Sequence, residues 1–85
     1  MNQSSEHFIY QNERFESADY ADKDFSNRGF VKCTFSNCNF QSIDLSSVNF
    51  IDCQFIDCRF LHTKVKDFGF RNAVFNTCEI STTDL

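Results

Sequence analysis

Five cysteines are the residues of this 85-residue chain with the clearest potential for chemistry. Cys33 and Cys53 are twenty residues apart, and so are the neighbours among Cys38, Cys58 and Cys78. A zinc site would need Cys or His pairs at short spacing that close a tetrahedron, and neither C-x-x-C nor H-x-x-x-H occurs. Because free cysteine commonly behaves as a small buried hydrophobic residue, we interpret these five as core residues. We therefore expect no metal site and no cofactor.

The two histidines, His7 and His62, do not complete a catalytic pattern. His62 follows Phe60 by two residues, at a position where we expect a solvent-exposed side chain. The chain has no G-x-S-x-G motif, no Ser–His–Asp order and no glycine-rich phosphate loop. Aspartates such as Asp44 and Asp52 are explained by turns and by solubility. We predict that the chain is not an enzyme and has no catalytic residues.

Composition excludes several classes of partner. A formal net charge of −4 disfavours direct binding to nucleic acid or to an anionic membrane. No apolar run is long enough to span a membrane, and the first ten residues lack the features of a secretory signal. An odd number of cysteines without such a signal is typical of reduced thiols. We expect a cytoplasmic protein, with secretion as a bacterial effector as the alternative.

The apolar residues follow a period of five. Every fifth residue from Phe15 to Leu85 is apolar, and ten of these fifteen are Phe. We predict that the eleven from Phe30 to Ile80 form the ladder at the centre of the core. The whole set is Phe15, Tyr20, Phe25, Phe30, Phe35, Phe40, Leu45, Phe50, Phe55, Phe60, Val65, Phe70, Phe75, Ile80 and Leu85.

A period of five fits neither standard element, because an α-helix repeats near 3.6 residues and a strand near 2. The chain must instead turn inward once in every five residues. Four such segments make a square coil of twenty residues, and coils stack at the inter-strand spacing of about 4.8 Å. Residues twenty apart then form columns, such as Phe15, Phe35, Phe55 and Phe75.

Four consecutive segments carry a recognisable consensus. Residues 38–42 (CNFQS), 43–47 (IDLSS), 48–52 (VNFID) and 53–57 (CQFID) resemble the A-(D/N)-(L/F)-x-x unit of the pentapeptide-repeat proteins. The resemblance is strong from residue 30 to 85 and weaker from 13 to 29. It implies an all-β fold, a right-handed quadrilateral parallel β-helix of about four coils. We expect an N-terminal cap over residues 1–14 and a single β-helix domain over residues 15–85.

In this family the residue two before each ladder residue also points inward and must be small. Glu13, Lys23 and Arg28 depart from that rule, and a buried charge is costly. We therefore expect an irregular or opened first coil. The remaining inward residues are Cys33, Cys38, Ile43, Val48, Cys53, Cys58, Thr63, Ala73, Cys78 and Thr83.

Three other residues break the pattern. Phe68 lies off the ladder and predicts a bulge or widened coil between residues 67 and 70. Gly29 and Gly69 precede ladder residues on one column, and we expect them to permit turn geometry at a corner.

The architecture favours a protein-interaction or structural scaffold that uses the outer faces of the solenoid. Its surface mixes both signs, since basic residues stand among the aspartates. We expect a protein partner, with no direct binding to nucleic acid or membrane. The basic residues in question are Lys32, Arg59, Lys64, Lys66 and Arg71.

Two alternatives stay open. The quinolone-resistance proteins of this family protect DNA gyrase by mimicking duplex DNA, although they are about twice as long and dimerise through a C-terminal helical cap. The second alternative is the N-terminal module of a secreted bacterial effector. Because Leu85 falls on a ladder position, either residues follow it or two copies stack end to end at the C-terminal coil as a homodimer.

Overall fold

Short strands are the only regular secondary structure in the residues that the computed structural model describes, 8–21, 24–25, 27–65 and 69–82. No helix in these ranges is long and apolar enough to cross a membrane. The strands are β1 (Phe8–Gln11), β2 (Arg14–Glu16), β3 (Arg28–Val31), β4 (Thr34–Ser36), β5 (Asn49–Ile51), β6 (Gln54–Ile56), β7 (Arg59–Thr63), β8 (Phe70–Arg71), β9 (Val74–Asn76) and β10 (Glu79–Thr82).

The strands are short because the chain turns at a corner two residues after most ladder residues. Eleven residues at this corner position have a positive φ of 53° to 60°. Eight of the eleven are Asn, Asp or Ser, whose short polar side chains tolerate the left-handed region best. The eleven are Asn12, Ser17, Asn27, Lys32, Asn37, Ser42, Asp52, Asp57, His62, Asn72 and Thr77.

Parallel pairing with a register of twenty builds four faces. Face 1 is the sheet β1-β3-β5-β8, and face 2 is the sheet β2-β4-β6-β9. Face 3 joins β7 and β10 to bridges from Asn39 to Asp19 and to Arg59. Face 4 is held by the bridge between Asp44 and Lys64. The described residues make about three turns, against the four coils expected for residues 15–85.

The core lies inside these four faces and consists of ladder residues and inward residues. Phe35 pairs with Phe15 above and Phe55 below, so that each ring lies over the one a coil away. Six phenyl rings have at most 2% of their surface exposed: Phe30, Phe35, Phe40, Phe50, Phe55 and Phe60. The predicted fold class, an all-β quadrilateral parallel β-helix, is confirmed.

The first strand lies inside the segment that the sequence assigns to a cap. Phe8 pairs with Arg28, and Tyr10 pairs with Phe30, in the same parallel register as the later coils. The Tyr10 ring stacks on Phe30 at 4.9 Å between centroids, so the ladder begins one step before Phe15. Residues 1–7 lie outside the described ranges, and a cap there stays a prediction.

The described part of the first coil pairs in the regular register on faces 1, 2 and 3. The expectation of an irregular or opened coil stays a prediction for residues 22, 23 and 26, which lie outside the described ranges. Glu13 is exposed, and its carbonyl accepts a hydrogen bond from the Thr34 amide at 3.0 Å. Arg28 is half-buried at its inward position, with its guanidinium carbon 4.9 Å from the centroid of the Phe25 ring. A cation over an aromatic face offsets part of the cost of burial. Lys23 lies outside the described residues.

The expectation of a turn is wrong for Gly29. Gly69 lies in a bend, and neither glycine has a positive φ. Gly29 lies within β3, and an added Cβ there would meet only the Ile9 side chain at 3.8 Å. The turns are made instead at the corner position. The bulge expected near Phe68 falls on residues outside the described ranges. A register shift does occur where Ser81 pairs with Leu61 but Thr82 pairs with Thr63, so that His62 is skipped.

Candidate interaction faces

The aromatic ladder fixes the position of every outer face. In the column of face 2, ring centroids of Phe15, Phe35, Phe55 and Phe75 are spaced by 4.9, 5.0 and 5.0 Å, with interplanar angles of 17°, 6° and 9°. Neighbouring columns meet edge to face, as Phe30 and Phe35 do at 5.1 Å and 76°. Both geometries are favourable for aromatic rings. The four faces are therefore held rigidly against one filled interior.

The predicted ladder residues differ in burial along the stack. Those from Phe30 to Phe60, including Leu45, are buried, whereas Val65 and Phe70 are half-buried. On the last described coil Phe75 is 37% exposed and Ile80 is 54% exposed. An apolar cavity of about 190 Å³ lies there, and its walls are Phe60, Val65, Phe70, Phe75 and Ile80.

The predicted small inward residues lie between the ladder rings and the turns. Cys33, Cys38, Val48, Cys53 and Cys58 are buried, and Ala73 and Cys78 are half-buried. Each cysteine thiol donates a hydrogen bond to the carbonyl of the residue 23 positions earlier. The distances are 3.4 Å from Cys33 to Tyr10, 3.4 Å from Cys38 to Phe15, 3.3 Å from Cys53 to Phe30, 3.3 Å from Cys58 to Phe35 and 3.3 Å from Cys78 to Phe55.

Thr63 shows that a hydroxyl at the inward position makes the same bond as a thiol. Its hydroxyl donates to the Phe40 carbonyl, also 23 residues earlier, at 2.8 Å. An inward hydroxyl or thiol thus connects a turn to the coil above it and satisfies a carbonyl group that the core would otherwise desolvate. The cysteines have a structural role of the same kind.

Burial and mutual contact shift the thiol pKa values. Interaction with the neighbouring Cys58 thiol lowers the pKa of Cys38 to about 7, and the same interaction raises the pKa of Cys58. Burial raises the pKa of Cys53 to about 11. Burial also raises the pKa of the Tyr20 phenol. Within the described residues, no group of three or more His, Cys, Asp and Glu side chains is arranged to hold a metal ion.

Outward residues form columns of their own, and the column on face 3 contains both acidic and basic residues. The Asn39 amide donates to an Asp19 carboxylate oxygen at 3.3 Å, and the Arg59 Nε lies 3.2 Å from a Glu79 carboxylate oxygen. The Arg59–Glu79 pair is exposed, and such pairs contribute little to stability. Their effect is to cancel charge along the face.

The same mixture of acidic and basic residues occurs elsewhere on the surface. Lys64 lies directly below Asp44 on face 4, and Lys32 and Asp52 follow each other on the corner between faces 1 and 2. Asp52 in turn accepts a hydrogen bond from the Asn72 amide at 3.0 Å. The described surface therefore presents interleaved charges and not one continuous acidic stripe.

A polar groove beside His62 lies at the corner between faces 3 and 4. It has a volume of about 230 Å³ and is lined by Ser42, Ile43, Asp44, His62 and Lys64. His62 is exposed, as its position after Phe60 predicts. One Asp44 carboxylate oxygen accepts hydrogen bonds from the amide and the hydroxyl of Ser46, at 2.9 and 2.6 Å. This carboxylate therefore stabilises its own turn.

Aliphatic residues on face 1 were not singled out from the sequence. Ile9 is 64% exposed and lies beside Gly29, while Val31 and Ile51 stack on each other and are half-buried. A period-of-five search finds the ladder but not these residues, because each outward position varies independently. The signal that could have found Val31 and Ile51 is their spacing of twenty, each one position after a ladder residue.

Comparisons with known proteins agree with this architecture. A family model described as pentapeptide repeats matches residues 30–61, with eight copies. The full-length structure of QnrB1, a plasmid-mediated fluoroquinolone resistance protein, has 29% sequence identity and a TM-score of 0.61, over 86% of this chain and 35% of that one. A trypsin-treated form of QnrB1 has 28% identity and the same TM-score, over 86% of this chain and 36% of that one.

The chain thus spans about a third of the length of these solved structures. No curated protein matches its sequence. Residues 30–61 thus match pentapeptide repeats, and the chain is similar in fold to QnrB1.

Proposed function

We propose that the chain is a non-enzymatic scaffold that binds a protein partner on the outer faces of its β-helix. The observation that carries this proposal is the division between inward and outward residues. Inward side chains are buried and engaged in the core, where Phe35 stacks on its neighbours and Cys58 donates a hydrogen bond to a carbonyl. Outward residues are free to vary on rigid faces, and solenoids use such faces for recognition.

Three physical features support binding over catalysis. The interior is filled by rings about 5 Å apart, which leaves the described coils no central cleft for a substrate. The apolar cavity at the last coil is lined by Phe, Val and Ile side chains and offers no proton donor or acceptor. The groove beside His62 is open, and Asp44 there is engaged by its own turn.

An affinity-capture experiment on the immobilised chain tests the scaffold proposal directly. The expected result is a partner, identified by mass spectrometry, that binds the wild type and binds variants of one outward face more weakly. Val31→Glu and Ile51→Glu on face 1 form one set, and Asp19→Lys and Glu79→Lys on face 3 form the matched set. Circular dichroism checks that each variant keeps its β-structure. Equal binding by both sets and by an unrelated control protein would refute the proposal.

Protection of DNA gyrase is the second candidate. It is favoured by the likeness to QnrB1, whose description as a fluoroquinolone resistance protein extends to this chain only as a proposal. The mixed charges of faces 3 and 4 weaken a duplex-like potential, because a mimic of the phosphate backbone needs continuous negative charge.

A supercoiling assay with purified gyrase and a fluoroquinolone tests this candidate. Protection would appear as restored supercoiling when the chain is added. Arg59→Glu and Lys64→Glu replace the basic residues of these two columns with acidic ones, so they should increase protection if charge mimicry is the mechanism. Absence of protection by the wild type and by both variants excludes the candidate without touching the scaffold proposal.

We further propose that two copies associate through the last described coil. Supporting observations are the exposure of Phe75 and Ile80, at 37% and 54%, and the apolar cavity that both residues line. Light scattering after gel filtration should report a dimer that Ile80→Asp converts to a monomer, whereas Ile9→Asp, at the other end of the stack, leaves it dimeric. A wild type that is monomeric at high concentration refutes this association.

A further inference from the structure

The five thiols form two vertical files. The face-2 file contains Cys33 and Cys53, and the face-3 file contains Cys38, Cys58 and Cys78. Within each file every thiol has the same orientation, because each donates to the carbonyl 23 residues earlier at 3.3 to 3.4 Å. All five cysteines are free.

The coil repeat sets the distance between neighbours in a file. Rings of the adjacent ladder column are spaced by 5.0 Å from Phe35 to Phe55 and again from Phe55 to Phe75. The Glu79 amide donates to the Cys58 carbonyl at 3.0 Å, so Cys58 and Cys78 occupy equivalent places on consecutive coils. Neighbouring sulfur atoms are therefore about 5 Å apart, the spacing of parallel strands.

This spacing distinguishes between two kinds of thiol chemistry. A disulfide needs Cβ atoms about 3.5–4.5 Å apart, less than the coil repeat, so it would require the backbone to move. A metal ion bound in line between two thiolates needs sulfur atoms about 4.6 Å apart, twice a metal–thiolate bond of about 2.3 Å. We propose that each file binds one soft divalent metal ion, held in line between two stacked thiolates.

Charge balance selects the ion. Two thiols lose two protons to solvent and form two metal–sulfur bonds, so that a divalent ion gives a neutral complex, which an apolar core accepts without burying a net charge. Soft thiolate ligands favour soft metals, and mercury(II) is the divalent ion that prefers two ligands in line. Zinc would require four ligands, which neither file provides.

The face-3 file has the more accessible entry. Cys78 is half-buried on the last described coil, whereas Cys33 and Cys53 are 1% and 0% exposed. Cys58 is the central member of its file and takes part in both of the available pairs. Loss of Cys58 leaves Cys38 and Cys78 about 10 Å apart, two coil repeats, which is too far for one ion to bridge.

Titration of the reduced protein with mercury(II) chloride tests the proposal, with bound ions counted by native mass spectrometry and metal–thiolate absorption followed in the ultraviolet. We expect two ions per wild-type chain. Cys58→Ser and Cys78→Ser both leave four thiols, but the first should bind one ion and the second two. Cys53→Ser should bind one ion. Serine keeps the inward hydrogen bond, as Thr63 shows, so the variants test position and not folding.

Circular dichroism during the titration must retain the β-sheet signal. The proposal is overturned if Cys58→Ser and Cys78→Ser bind equal numbers of ions, since binding would then follow the number of thiols. It is equally overturned if the wild type takes up one ion per thiol, or if uptake coincides with loss of the β-sheet signal.

Discussion

At the corner position a single residue decides whether the chain can turn. Eleven residues there adopt a left-handed backbone, which costs most side chains about 1–2 kcal/mol and Asn and Asp less. Lys32, His62 and Thr77 are the three at this position that are neither Asn, Asp nor Ser. Thr77 is the least suited, because its branched Cβ crowds the backbone at a φ of 56°.

Thr77→Asn should therefore stabilise the protein by about 0.5–1 kcal/mol, through relief of backbone strain in the folded state. The free energy of unfolding in urea measures the change. Thr34→Asn is the matched control, since Thr34 lies in β4, where a β-branched residue is favourable and no gain is expected. A loss of stability at residue 77 would show that the threonine side chain contributes more than the strain costs.

Cys53 makes stability depend on alkaline pH. Burial raises the pKa of its thiol from 9.0 to about 11 in the folded protein. A raised pKa means that the contribution is fully present below the unfolded-state value and is lost as pH rises through the folded value. Between pH 8 and 11 the free energy of unfolding should fall by on the order of 2 kcal/mol through this thiol.

Urea unfolding at pH 8 and at pH 11 measures this loss. Cys53→Ser is the control, because serine keeps the hydrogen bond to the Phe30 carbonyl and does not ionise in this range. The variant should lose less stability than the wild type over the same interval. An identical loss in both proteins would mean that the buried thiol stays protonated or that other groups dominate.

At the scale of the elements, a ring in a column contributes more to the stability of the fold when neighbouring coils cover it on both sides. Phe55 stacks on Phe35 and Phe75 at 5.0 Å on both sides and is fully buried, whereas Phe75 is 37% exposed. Phe55→Ala should lower the free energy of unfolding by about 3–5 kcal/mol. Phe75→Ala should lower it by roughly half as much, because folding removes less of the Phe75 side-chain area from solvent. Urea unfolding compares the two, and equal costs would show that a further layer covers Phe75.

The elements also show how far the sequence alone could predict the molecule. The ladder was predictable because fifteen apolar residues at one spacing have no other physical explanation, and the column of Phe35 and Phe55 follows from it. The position of Arg28 was not, because its contact with the Phe25 ring depends on a neighbouring side chain that no repeat specifies. The prediction for Gly29 was wrong because glycine is compatible both with a turn and with a strand, so its presence does not distinguish them.

For the candidate interaction faces, the sequence could predict which residues point outward but not which charges and apolar side chains lie next to each other. Which residues are outward follows from the period, but their neighbours twenty residues away decide the local charge. The pairing of Arg59 with Glu79, for example, requires the register and cannot be read from either segment alone. The same is true of the stacked aliphatic residues Val31 and Ile51 on face 1.

At the scale of the whole molecule, the β-helix is a one-dimensional stack in which each coil contacts only its neighbours. Stability in such proteins is the sum of each repeat and its interfaces, so an inner coil with two interfaces is more stable than an outer one. On faces 1 and 2 the strands β3 to β6 have partners on both sides, whereas β1, β2, β8 and β9 have a partner on one side.

Hydrogen exchange should reveal this gradient as at least a tenfold difference in protection factor, about 1.4 kcal/mol, between matched amides. The Gln54 amide donates to the Cys33 carbonyl and the Val74 amide to the Cys53 carbonyl, both at 3.0 Å and on the same face. Their hydrogen bonds are equivalent, so any difference in exchange comes from position in the stack, and Gln54 should exchange more slowly. Exchange measured by NMR at neutral pH gives both rates. Equal protection would mean that the coils open together as one cooperative unit, contrary to the expectation for a stack of separable repeats.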